Sequence, residues 1–245
     1  MRLEVRTFGG LAERAGLATL VIDLSDGSDV GELRRAIASR HPALAPLMPR
    51  VAVSVDLELA SDATVLVEGV EVALLPPVAG GAGPSDLQES AGAHAEADLT
   101  VTELVHGRLD VEGTLARIGA SDVGATVSFL GTVRDHAEDL DGVVQLEYSA
   151  YESMAERELT AIAAEVRLAH PEVRGLALVH ALGVLDVGAH TILVAASSAH
   201  RAEAFDACQA ALEAIKTRVP VFKREVTADG SHRWVGLPDA GLPPS

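Results

Sequence analysis

Apolar and polar positions in the first 81 residues follow a pattern that predicts a small mixed sheet folded around one helix. Alternating β-branched and polar residues predict strands at 3–8, 19–24, 51–56 and 70–78. A helix is predicted from Asp29, which caps it, to about His41, because apolar residues recur between them at helical spacing and Pro42 follows. The order ββαββ results.

The remainder of the chain alternates strands and longer helices, which predicts a second domain of the α+β class. The predicted strands are 99–105, 124–133, 143–151, 176–185, 190–198, 221–227 and 232–235, and the predicted helices are 110–118, 154–170 and 203–218. Prolines follow the last two helices and end them.

A segment rich in glycine, alanine, proline and serine separates these two parts, and this composition is typical of a linker. We therefore expect a domain at 1–81, a linker at 82–97 and a second domain at 98–245. The first 81 residues carry a net charge of −4 and the remainder −13.

Composition excludes several classes of protein and site. With a net charge of −17 the chain has no basic surplus, so we expect neither a nucleic-acid nor an anionic-membrane partner. There is no apolar run of about 18 residues to span a membrane, and the N-terminus lacks the apolar core of a signal peptide. Cys208 is the only cysteine, which favours the reducing cytoplasm. No HxH, HExxH or CxxC motif occurs, and we expect no metal site and no cofactor.

Lysine is rare in this chain, and both lysines lie close together. Of 19 basic residues only Lys216 and Lys223 are lysines. Unlike arginine, lysine can lose its proton when desolvated and then act as a base or nucleophile. We therefore interpret the pair as candidate catalytic residues, although Lys216 also suits the negative end of a helix dipole.

Residues 216–233 carry a net charge of +3 within an acidic protein, which favours a small phosphorylated ligand. Arg134 follows a predicted strand, and His200 and Arg201 precede a predicted helix, whose free N–H groups attract anions. We name these three residues as candidate anion ligands. Trp234 is interpreted as a packing residue.

The segment LLPPVAGG, residues 74–81, ends the first part as an extended strand followed by two glycines. Gly80 and Gly81 have no side chains and can thread a narrow tunnel. At the end of a ββαββ unit this segment resembles the tail of ubiquitin-like sulfur carriers, specifically the small subunit of molybdopterin synthase. The resemblance implies a β-grasp fold, an adenylating and sulfur-loading enzyme as partner, and a thiocarboxylate on the last glycine.

Four further segments resemble the large, catalytic subunit of molybdopterin synthase, in order over about residues 99–236. They are FLGTVRDH, LEYSAYESMA, SSAHRAEAF and KTRVPVFKREVTADGSHRWV. The resemblance implies an α/β hammerhead fold, a homodimer formed through this domain, and conversion of cyclic pyranopterin monophosphate into dithiolene-bearing molybdopterin. It also implies that Lys216 and Lys223 are the active-site lysines, and that Arg134, His200 and Arg201 bind the substrate's anionic groups.

One feature departs from that family. Gly81 is followed by Ala82, so it has no free carboxyl group to activate. Three interpretations stay open. The chain is cleaved after Gly81 and supplies its own sulfur; the first domain only docks, and a separate carrier brings sulfur; or the first domain is a carrier joined to a non-catalytic platform that binds a phosphate ligand.

Overall fold

A five-stranded sheet covered by one main helix forms the N-terminal domain in the computed structural model, which describes residues 1–77, 99–137 and 140–237. Its elements are β1 (Arg2–Thr7), α1 (Gly9–Ala15), β2 (Thr19–Asp23), α2 (Val30–Arg40), a 3₁₀ turn (Met48–Arg50), β3 (Ala52–Val55), β4 (Glu58–Ala60) and β5 (Val72–Leu75). The strand order is β2-β1-β5-β3-β4, and β1 and β5 run parallel at its centre.

The main helix of this domain, α2, begins and ends where the sequence predicts. The Asp29 side chain accepts a hydrogen bond from the backbone of Glu32, and the Glu32 side chain returns one to the backbone of Asp29, which forms a capping box. Leu33 and Ile37 are fully buried against the sheet. His41 is the C-cap residue.

The helix α1 was not predicted, because it begins with Gly9 and Gly10, and glycine disfavours helices. It ends at Gly16, whose φ of +67° is a left-handed conformation that glycine adopts readily. Leu11 is buried in the domain core and anchors this short helix. Tertiary packing therefore outweighs the low local propensity.

The C-terminal domain is built on a seven-stranded sheet. Its elements are β6 (Leu99–His106), α3 (Val111–Arg117), β7 (Ala125–Thr132), β8 (His136–Ala137), β9 (Leu140–Asp141), β10 (Val143–Ala150), α4 (Glu152–Ala169), β11 (Val173–Asp186), β12 (His190–Ser198), α5 (Arg201–Arg218), β13 (Val221–Thr227) and β14 (His232–Trp234). The strand order is β14-β13-β10-β11-β12-β7, and β6 pairs in parallel with β11.

The long strand β11 organises this sheet, because β12 pairs along one of its edges while β6 and β10 share the other. The helices α4 and α5 cover one face of the sheet, where Leu178 and Val194 enter the main core with Ile162. The next residue along β11, Val179, faces a smaller core under α3. This alternation follows from the two-residue period of a strand.

The prediction of two α+β domains, a ubiquitin-like β-grasp domain followed by a hammerhead domain, is confirmed at the level of fold class. The strands predicted at 190–198 and 221–227 coincide with β12 and β13. The predicted linker, 82–97, lies outside the described residues. In the described part of the chain, no helix is long and apolar enough to cross a membrane.

Candidate active site

A cavity of about 380 Å³ opens in the C-terminal domain between the sheet and the last turns of α5. Lys216 lines it from α5, Lys223 lines it from β13, and Arg134 lines it from the segment that follows β7. The two lysines of the chain and one predicted anion ligand therefore share one cavity.

The sharp turn between α5 and β13 brings the lysines together. The helix ends at Arg218 because Pro220 cannot continue it, and β13 begins at Val221. Lys216 lies in the last turn of the helix, and its Nζ is 5.8 Å from the ring centroid of Phe129, within the range of a cation–π contact.

Lys223 lies near a buried carboxylate on its own strand. Its Nζ lies 3.7 Å from Oε1 of Glu225, which projects from the same face two residues further along β13. Glu225 is buried, and Oε2 accepts a hydrogen bond of 2.9 Å from Arg233 on β14. Arg233 thus shares the charge of Glu225, and the ammonium group of Lys223 stays only loosely paired.

Arg134 is exposed at the mouth of the cavity. Within residues 1–77, 99–137 and 140–237, no carboxylate lies within salt-bridge distance of its guanidinium group. An arginine with no carboxylate partner among the described residues suits an anionic ligand, because a guanidinium can donate two parallel hydrogen bonds to a phosphate.

His200 and Arg201 lie at the opposite end of α5 from Lys216. His200 is the N-cap residue without a side-chain cap bond, and Arg201 begins the helix. Fifteen residues along an α-helix span about 22 Å, and neither residue lines the cavity of its own chain. The sequence analysis named His200 and Arg201 together with Arg134 as candidate anion ligands. Within one chain, the fold places His200 and Arg201 far from the cavity that Arg134 lines.

Three polar residues at the cavity wall, Tyr148, His180 and Thr191, were not predicted. They come from the adjacent strands β10, β11 and β12. The rings of Tyr148 and His180 meet edge to face with centroids 5.1 Å apart. Burial raises the pKa of Tyr148 to about 12, although a hydrogen bond with Thr191 opposes this shift. A lone histidine within the apolar segment LALVHALGVL gives no sequence signal beyond that of a core strand.

The N-terminal domain contacts the other face of the same sheet. Tyr151 is buried there, stacks on Phe8 at 4.7 Å between ring centroids, and donates a hydrogen bond to Glu71. Arg6 lies over the Tyr151 ring and pairs with Glu71 at 2.8 Å. Hydrogen bonds from Tyr151 and Arg6 lower the pKa of Glu71. Burial and the Glu71 carboxylate raise the pKa of Tyr151 to about 12.

A second contact between the domains centres on Glu13 of α1. Its carboxylate accepts hydrogen bonds of 2.9 Å from Trp234 Nε1 and from His232 Nε2, and Arg224 lies 3.5 Å away. Partial burial opposes ionisation, but the bonds from His232 and Trp234 together hold the pKa of Glu13 below its usual value. Trp234 packs against the N-terminal domain, which confirms its assignment as a packing residue.

The tail of the N-terminal domain starts beside the strands that carry Lys223. A Cβ built on Gly236, which follows β14, would lie 3.4 Å from Pro77. Pro77, the last described residue of this domain, therefore lies close to the turn that follows β14. Gly80 and Gly81, the predicted sulfur-carrying terminus, lie outside the described residues.

The fold is that of a two-domain protein in which a β-grasp domain packs on an α+β domain, and the α+β domain has a cavity lined by three cations. Family models match both parts: the ThiS family matches residues 5–81, and the MoaE protein family matches residues 104–218. The chain is 40% identical over 146 residues to the molybdopterin synthase catalytic subunit of Oryza sativa subsp. indica, covering 59% of this chain and 75% of that protein.

The corresponding subunit from Bacillus subtilis (strain 168) is 37% identical over 134 residues, covering 55% of this chain and 83% of that protein. The crystal structure of molybdopterin synthase from Staphylococcus aureus superimposes with a TM-score of 0.51 at 33% identity, covering 54% of this chain and 95% of that one. The chain belongs to the molybdopterin synthase catalytic subunit family and carries a ThiS-family domain at its N-terminus. It is an enzyme of molybdenum-cofactor biosynthesis.

Proposed function

We propose that this chain is a fused molybdopterin synthase, in which residues 1–81 are the sulfur carrier, 82–97 the linker and 98–245 the catalytic domain. It inserts two sulfurs, delivered as the thiocarboxylate of Gly81, into cyclic pyranopterin monophosphate, and the product carries the dithiolene. The observation that carries this proposal is that the two lysines of the chain line one cavity with Arg134.

The residues of the cavity suit the steps of this reaction. Opening a cyclic phosphate requires stabilisation of the phosphate charge, and Arg134 supplies an exposed guanidinium at the cavity. Sulfur transfer also requires protons to be moved at the reacting carbons and at the departing glycine carboxylate. Lys216 and Lys223 face the cavity and can exchange protons there, whereas arginine stays charged.

Sulfur must come from outside the catalytic domain. Cys208 is buried against β12 and donates to the carbonyl oxygen of Val194 at 3.4 Å. Burial raises the pKa of its thiol, which disfavours the reactive thiolate. A carrier tail that starts at Pro77 can extend at most about 14 Å over the four residues to Gly81, and Pro77 lies next to Gly236, just after the edge strand β14.

We further propose a homodimer formed through the C-terminal domain. His200 and Arg201 lie too far from Lys216 to serve the same cavity within one chain. In a dimer they can complete the cavity of the second copy, which gives both residues the anion-binding role that the family resemblance implies. The single cysteine favours the reducing cytoplasm as the site of this activity.

The carrier role requires a free carboxyl group at Gly81, so we propose cleavage between Gly81 and Ala82. A sulfur-loading enzyme then adenylates the new terminus and replaces one oxygen with sulfur. The experiment deletes Gly80 and Gly81 from the full chain and measures molybdopterin formation in the presence of the loading enzyme and cyclic pyranopterin monophosphate.

We expect the deleted chain to make no product alone and to recover when a separate loaded carrier ending in Gly-Gly is added. Product formation by the deleted chain without any added carrier would overturn the thiocarboxylate mechanism. Failure to recover with the loaded carrier, while the unaltered chain is active, would show that the docked N-terminal domain blocks the site.

A further inference from the structure

One wall of the active-site cavity is formed by a histidine that neither the motifs nor the proposed mechanism uses. His180 lies on β11, lines the cavity and is only 8% exposed. Its ring is fixed from two sides, by an edge-to-face contact with Tyr148 and by a hydrogen bond with the backbone carbonyl of Ala181. A buried, oriented imidazole at a ligand cavity needs a chemical explanation, because unpaired buried polar atoms are costly.

The hydrogen bond of this histidine determines which nitrogen carries the proton. Nδ1 lies 2.8 Å from the carbonyl oxygen of Ala181. Because a carbonyl oxygen only accepts, Nδ1 carries the hydrogen, and Nε2 of the neutral ring holds a free lone pair. In the described part of the chain Nε2 has no hydrogen-bond partner, and it is not among the fully enclosed unpaired atoms. Its lone pair therefore opens into the cavity.

The other polar groups of the cavity have the opposite character. Lys216, Lys223 and Arg134 are cations that can donate hydrogen bonds but cannot accept them, and among the described lining residues none is a carboxylate. His180 is thus the one nitrogen acceptor described in a wall that otherwise offers cations and hydroxyl groups. A ligand that satisfies the whole cavity carries an anion at one end and an N–H donor at the other.

We propose that His180 determines substrate specificity by accepting, at Nε2, a hydrogen bond from an N–H group on the heterocyclic ring of the phosphorylated substrate. This inference rests on the proposed function and adds the ring contact to the phosphate contacts described above. Phosphates without such a ring bind to the cations alone and gain nothing from His180.

Burial keeps this acceptor available. Burial lowers the pKa of His180 to about 4, although the hydrogen bond with Ala181 opposes this shift. The ring therefore stays neutral near pH 7, and its lone pair is not lost to protonation. Protonation would also place a third positive charge beside Lys216 and Lys223, which adds to the cost of charging the ring.

The test compares two ligands on the full chain: cyclic pyranopterin monophosphate, which has ring N–H groups, and inorganic phosphate, which has none. His180→Phe keeps the ring shape and removes the acceptor, and His180→Gln restores an acceptor near Nε2. His170→Phe, at the end of α4 and outside the cavity, makes the same exchange as a matched control. Affinities are measured calorimetrically without a sulfur donor, so that no turnover occurs.

We expect His180→Phe to weaken binding of the pterin phosphate about 3- to 10-fold, the range for one neutral hydrogen bond. Inorganic phosphate should bind unchanged, and His180→Gln and His170→Phe should bind the pterin phosphate nearly as the unaltered chain does. Unchanged pterin affinity in His180→Phe would overturn the proposal. Equal losses for both ligands in His180→Phe and His180→Gln would also overturn it, because they would indicate a collapsed cavity.

A second measurement needs no variant. In the ¹⁵N-histidine-labelled chain, the Nε2 resonance of His180 should move toward the hydrogen-bonded position when the pterin phosphate is added, and stay in place with inorganic phosphate. An unmoved resonance in a chain that binds the pterin phosphate would overturn this inference alone. A chain that fails to bind the pterin phosphate at all would overturn the proposed function as well.

Discussion

The two faces of β13 have different environments, although residues of the two faces alternate along the strand. One face borders the cavity and the other contacts the N-terminal domain. Lys223 and Glu225 point to the cavity side, where Lys223 lies across from Tyr148. Phe222 and Arg224 point to the other side, where they contact Phe8 and Glu13 of the N-terminal domain. A single strand therefore links the proposed chemistry to the docking of the carrier.

The difference between these faces lies in how their charges are satisfied. On the docking face Arg224 is paired with Glu147 and Glu13, and the contact is closed by stacked aromatic rings. On the cavity face Lys223 has one loosely placed carboxylate, and Arg134 has none in the described part of the chain. Satisfied groups hold surfaces together, and unsatisfied donors remain available for a ligand.

The largest effect is expected from changing the cavity face alone. Lys216→Arg or Lys223→Arg keeps the positive charge but replaces an ammonium, which can transfer a proton, with a guanidinium, which stays charged. We expect either change to lower molybdopterin formation by about 100-fold or more, the usual contribution of general acid–base catalysis. Arg224→Lys on the docking face is the control and should keep substantial activity. Near-normal product formation by both lysine variants would leave them a purely electrostatic role.

A smaller effect is expected from Arg134→Ala. Loss of one charged hydrogen bond costs about 1.5–3 kcal/mol, so the affinity for cyclic pyranopterin monophosphate should fall roughly 10- to 150-fold. Arg108→Ala, which removes a guanidinium from outside this cavity, should leave the affinity unchanged. The measurement is equilibrium binding without a sulfur donor. Equal affinities for the two variants would place the phosphate elsewhere.

A third prediction concerns the contact between the domains, which we expect to weaken when one carbon is added to α1 by Gly10→Ala. A Cβ at Gly10 would lie 2.5 Å from a Leu237 methyl group and 3.0 Å from two atoms of the Trp234 ring. Overpacking of this kind costs about 1–3 kcal/mol, so Gly10→Ala should favour the undocked arrangement. Trp234 is the only tryptophan, and its emission should shift to the red as the indole meets water. Gly119→Ala meets nothing closer than 3.6 Å and serves as the control.

Gly10→Ala also tests whether the two faces of β13 act independently. We expect the variant to weaken docking of the N-terminal domain but to bind the ligand in the cavity as the unaltered chain does. A chain in which Gly10→Ala leaves the tryptophan emission unchanged would show that the contact tolerates the added carbon. A chain that loses affinity for the pterin phosphate in parallel would show that the two faces are not independent.

The smallest effect is expected from acid. The pKa values of Glu13 and Glu71 are both below the usual 4.5. His232 and Trp234 lower that of Glu13 across the domain contact, and Tyr151 lowers that of Glu71 across the contact together with Arg6 of its own domain. Groups with lowered pKa values stabilise the docked form above pH 4.5, and this stabilisation is lost as the pH falls through the lowered values. Both side chains are almost half exposed, so screening limits each contribution to about 1 kcal/mol or less.

Trp234 emission followed from pH 6 to about pH 3 should therefore report gradual undocking. Glu13→Gln removes one of the two carboxylates and should weaken the acid dependence. An acid transition of identical size in Glu13→Gln would exclude Glu13 as its source.

Local patterns predicted most of the fold because the determinants are themselves local. Asp29 caps α2 through its own side chain, and Pro220 ends α5 and places Lys216 close to Lys223. The helix α1 was not predicted because its two glycines suggest a turn, and its stability depends on tertiary packing, including that of the buried Leu11.

The candidate site was predicted in part for a similar reason. The lysines were proposed from the sequence because their rarity is visible in composition, and the fold places both at one cavity. His180 was missed because an isolated histidine among apolar residues looks like core until a cavity is seen beside it. The grouping of His200 and Arg201 with Arg134 failed within one chain, since sequence motifs do not reveal which end of α5 a cavity occupies.

The central claim is that one chain provides both the sulfur carrier and the site that receives the sulfur. Intact-mass spectrometry of the protein from its native host, grown under conditions that require molybdenum cofactor, tests this claim directly. We expect an N-terminal fragment that ends at Gly81 and is heavier by the exchange of one oxygen for sulfur. A population consisting only of uncleaved chain, in cells that make molybdopterin, would contradict it and leave the N-terminal domain a docking role.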